Sequence, residues 1–244
     1  MAKPRTPSSA ADMAASSGDG DASKIQSDST SAPTPAPPAT LHVTPWTLNR
    51  KQVLHRVHSG QYQAGEFNPG KKGNARFSPI RDNRGKAIPT IYAAITFDAA
   101  AMESVFHDVS HAPGYKNYAK DKLEGQVHSK IQSQRDLKLA DLSSVALRKL
   151  GVQRKQLIDT EKNEYPNTRL WAEAIHAKHK DIQGLSWISR QDDTARSVVL
   201  FGDRVPTGTL QQVGSSRNLL RDEQAYAELL DLADRIGVDI TPGK

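Results

Sequence analysis

The chain has 244 residues, 36% hydrophobic and 25% charged, with a formal net charge of +6 and a pI of about 9.4. This length fits one large domain, with or without a tail. No stretch approaches the roughly 18–20 apolar residues of a membrane span, and the first residues lack the apolar core of a secretory signal peptide. The absence of cysteine excludes disulfides and thiolate zinc sites. We therefore expect no membrane association and a site of action in the cytoplasm.

The basic charge by itself favours polyanionic partners such as nucleic acid, phosphorylated small molecules or an acidic protein. The 33 basic residues are spread along the chain, however, and no run of five occurs. No nucleic-acid-binding motif accompanies the charge, which disfavours direct nucleic-acid binding. A basic, non-catalytic nucleic-acid-binding or regulatory protein stays open as an alternative.

Residues 1–40 differ in composition from the remainder of the chain. They are mostly Ala, Ser, Pro, Asp and Thr, contain no aromatic residue, and have Ile25 as the only branched aliphatic residue. Such a segment buries too little apolar surface to offset the entropy of ordering the chain. We predict a disordered tail over 1–40, with a stiff extended stretch at "APTPAPP", and one domain over 41–244. The tail is either a linker or a delivery segment of an effector.

The body of the chain mixes predicted strands and helices in an irregular order. Strands are predicted at 51–59, 75–79, 90–97, 123–134, 137–141, 184–189 and 197–202, and helices from Asp98 to about Val109, at 142–150 after Asp141, at 169–180 after Thr168, and at 222–237. Gly151 is expected to end the second helix. Because regular crossover helices do not follow the strands, the pattern favours an α+β fold over a doubly wound α/β fold. The glycine-rich dinucleotide and P-loop signatures are absent.

Glu103 is the unusual residue of the helix that follows the strand "TIYAAITF". On a helical wheel the apolar residues Met102, Val105, Phe106 and Val109 share one face, and Glu103 lies at its rim. The neighbouring alanines leave room for a cavity wall. Two interpretations follow: a catalytic carboxylate, or a boundary glutamate paired with the histidine four residues later.

Four further residues are candidates on the basis of their positions. Arg56 lies inside a predicted strand and needs a carboxylate or phosphate partner, unless it forms a structural ion pair. Arg76 either binds a phosphate or covers its loop. Tyr92 lies in mid-strand, where an aromatic residue is usually core. Ser189 ends a strand without a G-x-S-x-G elbow, so a hydrolase nucleophile is not expected. The eight histidines form no H-E-x-x-H motif, and we predict no metal site.

The order of these segments carries more information than any one of them. The chain contains, in order, "LHRVH", "ARFSP", "TIYAAITFDAAAMESVF", "RLWAEAIHAKHKDIQGLSWISRQDD" and "SVVLFGDRV". Over residues 52–205 this series resembles the RES-domain family, which is named for its arginine, glutamate and serine. Arg56, Arg76, Tyr92, Glu103 and Ser189 occupy the positions that match the motifs of the family.

The chain differs from the usual family motifs at four of the neighbouring positions. Ala75 replaces a glycine, Phe77 replaces a tryptophan, and Trp187 and Ile188 replace a tyrosine and a proline. These replacements conserve packing better than they conserve substrate contacts.

The resemblance implies an ADP-ribosyltransferase-like mixed sheet with flanking helices, and a toxin that breaks the nicotinamide–ribose bond of NAD. It implies that Glu103, Arg56 and Ser189 are catalytic and that NAD contacts Arg56, Arg76, Tyr92 and Ser189. NAD is then a substrate, with no prosthetic group expected. ADP-ribose would pass to water, phosphate or a protein.

The resemblance also implies a partner. This is a helix-turn-helix antitoxin that blocks the active site. The apolar C-terminal helix offers a contact surface for a homo-oligomer. The alternatives are a transferase that modifies a protein and an antibacterial effector with the same chemistry that is delivered into another cell.

Overall fold

The computed structural model describes residues 33–110 and 112–243. The strands are β1 Pro45–Leu48, β2 Val53–Ser59, β3 Ile80–Arg81, β4 Ala87–Ile88, β5 Thr90–Ala94, β6 Lys116–Ala119, β7 Gln126–Ser133, β8 Leu137–Asp141, β9 Gly184–Ile188, β10 Arg196–Phe201, β11 Leu210–Asn218 and β12 Val238–Thr241. The α-helices are α1 Phe97–Met102, α2 Ser144–Leu150, α3 Arg154–Leu157, α4 Tyr165–Lys178 and α5 Glu223–Arg235. Short 3₁₀ helices cover Lys120–Leu123 and Lys162–Glu164. Among these described residues, no helix has both the length and the apolar character needed to span a membrane.

The main sheet has eight strands in the order β1-β8-β9-β10-β5-β2-β7-β11. Strands β8 and β9 are parallel, whereas the other neighbouring pairs are antiparallel. The sheet is therefore mixed and curled, with helices packed around it. The predicted α+β class is confirmed.

The sheet is weakly joined at its centre, between β5 and β2. In the described chain these strands share one paired position, His55 with Ala94. On one side β5 pairs with β10 at five positions, and on the other side β2 pairs with β7 at seven positions. The two halves of the sheet thus open away from each other at β5 and β2, which leaves space between them.

The helix predicted to run from Asp98 to about Val109 is shorter than expected. The observed α1 spans Phe97–Met102, and its N-cap is Thr96, whose side chain accepts a hydrogen bond of 3.1 Å from Ala99 N. The predictions of the end of this helix and of its N-cap were therefore wrong.

The helix ends because several amide groups compete for one carbonyl. The Ala101 oxygen accepts hydrogen bonds from the amides of Ser104, Val105 and Phe106, at 3.3, 2.8 and 3.1 Å. This tight turn buries Val105 and Phe106 against α5, within the apolar cluster that the wheel predicted. Glu103 therefore lies at the C-terminus of α1 and not in mid-helix.

Two other residues predicted as helix N-caps, Asp141 and Thr168, have different positions in the structure. Ser143, not Asp141, is the N-cap of α2, and Asp141 instead accepts hydrogen bonds from Ser143 N and Oγ at 3.0 Å each. Helix α4 begins at Tyr165, so Thr168 lies within it, where its hydroxyl donates to the Arg76 carbonyl. This contact holds the loop that carries Arg76 against α4.

Several short or polar strands were not predicted. The strand expected at 75–79 is replaced by the hairpin β3–β4, which starts at Ile80. Strands β1, β6, β11 and β12 had no predicted counterpart. Strand β11 has the sequence "LQQVGSSRN" and is largely exposed. It lies at the sheet edge, where burial imposes no apolar alternation.

The segment 33–40, which the sequence placed in the tail, packs against the domain. The Trp171 indole donates to the Pro35 carbonyl at 2.7 Å, and the Thr34 hydroxyl donates to the Gln156 carbonyl at 2.6 Å. Because proline-rich extended chain has free carbonyls, it supplies the acceptor that the buried Trp171 needs. The rest of the predicted disordered tail, 1–32, lies outside the described residues.

Removal of residues 1–40 is expected to lower the free energy of unfolding by about 1–3 kcal/mol, since a buried indole N–H would lose its acceptor. Removal of 1–32 alone keeps these contacts and is the matched control, which we expect to unfold like the full chain. Urea unfolding followed by tryptophan fluorescence measures both. Equal midpoints for the two truncations would contradict the structural role of 33–40.

Candidate active site

A cavity of about 280 Å³ lies at the weak junction between β5 and β2. Arg56, Arg76, Tyr92 and Glu103, which are four of the five predicted site residues, line it. Small side chains of β5 and α1 also line it: Ala93, Ala94 and Ala100. The structure thus brings together residues that are up to 47 positions apart, from Arg56 to Glu103, at one opening of the sheet.

Ser189 lies behind the cavity wall and has no exposed surface. Its hydroxyl donates to Glu103 Oε1 at 2.7 Å and accepts from the amides of Gln191 and Asp192, at 3.0 and 3.2 Å. The two amides fix the hydroxyl so that its proton is directed at the carboxylate. The resemblance implied that Ser189 is catalytic and contacts NAD; in the structure its hydroxyl contacts Glu103, and Ser189 is not among the residues that line the cavity.

Glu103 itself has no cationic partner among the described residues. The expected alternative, a pair with His107, is not formed, because His107 instead contacts Asp108 Oδ1 at 2.7 Å and Tyr165 OH at 3.0 Å. The Ser189 hydroxyl engages one carboxylate oxygen. The remaining acceptor sites of Glu103 are available to a ligand in the cavity.

Arg76 is a buried cation without an anionic partner among the described residues. Its side chain lines the cavity and is 4% exposed, and its Nε and Nη2 atoms have no hydrogen-bond partner within the described part of the chain. Its guanidinium carbon lies 5.5 Å from the centre of the Tyr165 ring, a cation–π contact that offsets part of the burial cost. Buried charges are ordinarily paired. An unpaired guanidinium facing a cavity therefore indicates an anion-binding site.

Arg56 is anchored differently. Its Nη1 atom donates to the carbonyls of Gln63, Ala64 and Glu66, at 3.2, 2.8 and 3.0 Å. Burial lowers the pKa of Arg56 to about 10, against the opposing charge of Glu66. The sequence left two interpretations of Arg56, a phosphate ligand or a structural ion pair. In the structure Arg56 stabilises its loop, but it does so by hydrogen bonds to carbonyls and not by an ion pair. Arg56 also lines the cavity, so this role does not preclude ligand contact.

Tyr92 and Trp187 form an aromatic wall. The Tyr92 hydroxyl accepts a hydrogen bond of 2.9 Å from Phe77 N, and burial raises the pKa of Tyr92. The Trp187 ring packs edge-on to Tyr92, with centroids 6.1 Å apart, and to Phe77, at 5.3 Å. Tyr92 is therefore held rigidly at the cavity surface.

Two polar groups of the cavity were missed by the sequence reasoning. Trp187 and Ser197 both line the cavity, and Trp187 Nε1 and Ser197 Oγ are buried without a hydrogen-bond partner in 33–110 and 112–243. They lie opposite each other in the β9–β10 register. Alternation in "SVVLFG" places Ser197 on the same face as Val199, but only the strand pairing puts it beside Trp187.

A second cavity of about 270 Å³ adjoins the first and shares His107, Asp108, Lys162 and Tyr165 with it. Arg190 contributes to the second cavity alone. The two cavities together reach the size of a site for an extended small molecule. Within the described ranges, no group of three or more His, Asp or Glu residues is arranged to hold a metal ion.

Comparison with known proteins identifies the chain at the level of its family. Residues 53–222 match the family model described as the RES domain. This family is linked in general to NAD-acting toxins of toxin–antitoxin systems, in which an antitoxin is the partner. No curated protein matches the chain. Because the match covers more than half of the 244 residues, the chain belongs to the RES-domain family.

Proposed function

We propose that this protein cleaves the nicotinamide–ribose bond of NAD in the cavity between β5 and β2. One observation carries the proposal: Glu103, a carboxylate without a cationic partner in the described residues, and Arg76, a buried guanidinium without an anionic partner there, line the same cavity. NAD offers complementary groups, since its reacting ribose becomes positive in the transition state and its pyrophosphate is an anion. NAD is consumed as a substrate in this account, and no prosthetic group is invoked.

The chemistry requires few protein groups because nicotinamide is already a cationic leaving group. The bond between ribose C1′ and the pyridinium nitrogen breaks, and its electron pair neutralises the departing nicotinamide. The ribose passes through an oxocarbenium-like state, as in glycoside cleavage. The Glu103 carboxylate stabilises this positive charge and accepts a hydrogen bond from a ribose hydroxyl. Ser189 holds the carboxylate in place.

Arg76 and Arg56 bind the pyrophosphate of NAD in this proposal. The buried Nε and Nη2 atoms of Arg76 have no partner among the described residues, and this adjacent pair of donors is of the kind that binds phosphate oxygens in a bidentate manner. Arg56 lines the same cavity with one nitrogen already held by the loop, so it supplies charge from a fixed position. The rigid wall of Tyr92 and Trp187 offers a surface for the nicotinamide ring. The remainder of NAD would extend into the adjoining cavity.

The final step transfers ADP-ribose to a nucleophile that attacks C1′ and releases its proton. Water gives hydrolysis, phosphate gives phosphorolysis, and a protein side chain gives ADP-ribosylation. We propose depletion of NAD by water or phosphate, because both are small enough to reach C1′ within the cavity. A helix-turn-helix antitoxin that covers the cavity is the proposed partner.

Controlled expression followed by measurement of cellular NAD tests this function. We expect the wild-type protein to drain NAD, and Glu103→Gln and Arg76→Met to spare it at equal protein level. Glu124→Gln is the matched control, since Glu124 is exposed and does not line the cavity. Cells that keep their NAD while the wild-type protein accumulates would overturn the proposal. Labelled protein in place of NAD loss would favour protein ADP-ribosylation.

A further inference from the structure

A hydrogen-bonded chain of four side chains, outside the groups discussed above, leads from the cavity wall to the surface. His55 Nδ1 lies 3.0 Å from His128 Nε2, and Arg217 Nη2 lies 2.9 Å from His128 Nδ1. Arg217 in turn donates to both carboxylate oxygens of Glu228, at 3.0 and 2.7 Å. His55 lines the cavity, and Glu228 lies on α5. Strands β2, β7 and β11 lie side by side and hold the first three residues in register.

The direction of every hydrogen bond in this chain follows from its arginine end. A guanidinium can only donate, so His128 Nδ1 must be the acceptor and carries no proton. A neutral imidazole with an unprotonated Nδ1 has its proton on Nε2. That proton is donated to His55, so His55 Nδ1 also carries no proton. The neutral form of His55 then has its proton on Nε2.

The geometry of the two rings supports this bond. Their planes differ by 11° and their centroids are 5.1 Å apart. Face-to-face rings would keep all atoms at van der Waals separation, whereas the 3.0 Å contact between His55 and His128 is shorter and requires the rings to meet edge to edge. The Phe97 ring packs edge-on against His128 at 4.9 Å, and His128 is 1% exposed. The chain is thus packed in place.

The charges around the two histidines favour their neutral forms. Burial, Lys130 and Arg217 lower the pKa of His55, and Glu228 and Asp98 oppose them. Burial, His55, Arg217 and Lys130 lower the pKa of His128 to about 3, with Glu228 opposing. Protonation of either ring would also direct two N–H groups at each other, either between His55 and His128 or between His128 and Arg217.

We propose that His55 binds the substrate as a neutral hydrogen-bond donor through Nε2–H, and that His128, Arg217 and Glu228 are positioning residues that set this single tautomer. The Nε2 atom has no hydrogen-bond partner among the described residues, and His55 lies at the one paired position of the β5–β2 junction. Its ligand is an acceptor oxygen of the ribose or phosphate. The inference rests on the proposed function for the identity of the ligand, but not for the tautomer.

Nitrogen NMR of histidine side chains in the full-length protein, without NAD, tests the tautomer directly. We expect His55 and His128 to carry the proton on Nε2 and to stay neutral below the ordinary histidine pKa of about 6.5. In Arg217→Met, His128 Nδ1 loses its obligatory donor, so both rings are expected to mix tautomers and to protonate at higher pH than in the wild type. A wild-type His55 that carries its proton on Nδ1 would overturn the inference. Titration of that ring near 6.5 would do the same.

Two variants test the ligand contact. In His55→Gln an amide N–H stands where Nε2–H was, and in His55→Asn it stands nearer the former Nδ1. We expect His55→Asn to raise the KM for NAD by about 10- to 100-fold, with a smaller change in kcat. The KM of His55→Gln should be about tenfold lower than that of His55→Asn. Equal KM values for the wild type and the two variants would overturn the contact. If the wild type consumes no NAD, the proposed function fails, and the NMR result alone then decides the tautomer.

Discussion

Glu103→Gln is expected to lower kcat for NAD consumption by at least about 10²–10³-fold, the range found when one preorganised electrostatic group is removed from an active site. The amide has nearly the same shape as the carboxylate and still accepts the Ser189 hydrogen bond. It carries no negative charge, and therefore loses the stabilisation of the oxocarbenium-like state. Steady-state kinetics with purified protein measures the change, and we expect the KM to change less than kcat.

Two further variants serve as a control and a comparison for Glu103→Gln. Glu124→Gln should keep wild-type rates, because Glu124 is exposed and lies away from the cavity. Ser189→Ala leaves the Glu103 charge in place but removes the hydroxyl that directs it. It is expected to lower kcat by about 10- to 100-fold, since misplacement of a catalytic group by about 1 Å can cost about 10²-fold. A Glu103→Gln protein as active as the wild type would remove Glu103 from the mechanism.

Arg76→Met is expected to raise the stability of the protein while it weakens NAD binding. Within 33–110 and 112–243 the buried wild-type guanidinium has no anionic partner, and an apolar side chain of similar volume avoids this cost. After allowance for the lost cation–π contact with Tyr165, we expect the free energy of unfolding to increase by about 1–2 kcal/mol. The loss of charge-assisted hydrogen bonds should raise the KM for NAD by about 30- to 150-fold.

Arg56→Met is the contrasting variant. Arg56 donates to three loop carbonyls, and its removal leaves Gln63, Ala64 and Glu66 without that donor. We expect the free energy of unfolding to fall by about 2–3 kcal/mol, the worth of hydrogen bonds to a charged group. Thermal unfolding of both variants, without NAD, compares them. If both arginine variants lower Tm equally, Arg76 is a structural residue and the anion site is wrong.

The elements that local pattern predicts are those with one buried face. Strand β7 alternates, and β10 is a short apolar run, so both were recognisable from the sequence. Strand β11 was not, because a polar edge strand leaves no alternation to read. The end of α1 depended on the three amides that compete for the Ala101 carbonyl, an arrangement set by the burial of Phe106.

For the candidate site, too, the sequence predicted some features and not others. The helical wheel predicted Glu103 at the rim of an apolar face, although α1 ends at Met102 and Glu103 is its C-cap. The order of the motifs predicted Arg56, Arg76, Tyr92 and Ser189 as site residues, and the first three line the cavity. What each does depends on partners distant in the chain. Arg56 and Arg76 look alike in sequence, yet in the described part of the chain loop carbonyls bind Nη1 of Arg56, whereas Nε and Nη2 of Arg76 have no partner. Such differences arise from tertiary contacts, which no local window contains.

The most direct test of the account is the release of nicotinamide from NAD by the purified full-length protein. Liquid chromatography would follow nicotinamide and the ADP-ribose products over time, with and without added phosphate, beside Glu103→Gln and Glu124→Gln. The account predicts that nicotinamide appears in step with NAD loss for the wild type and for Glu124→Gln, and that Glu103→Gln is slower by at least about 10²-fold. Intact NAD after prolonged incubation with folded wild-type protein, in both conditions, would contradict the central claim.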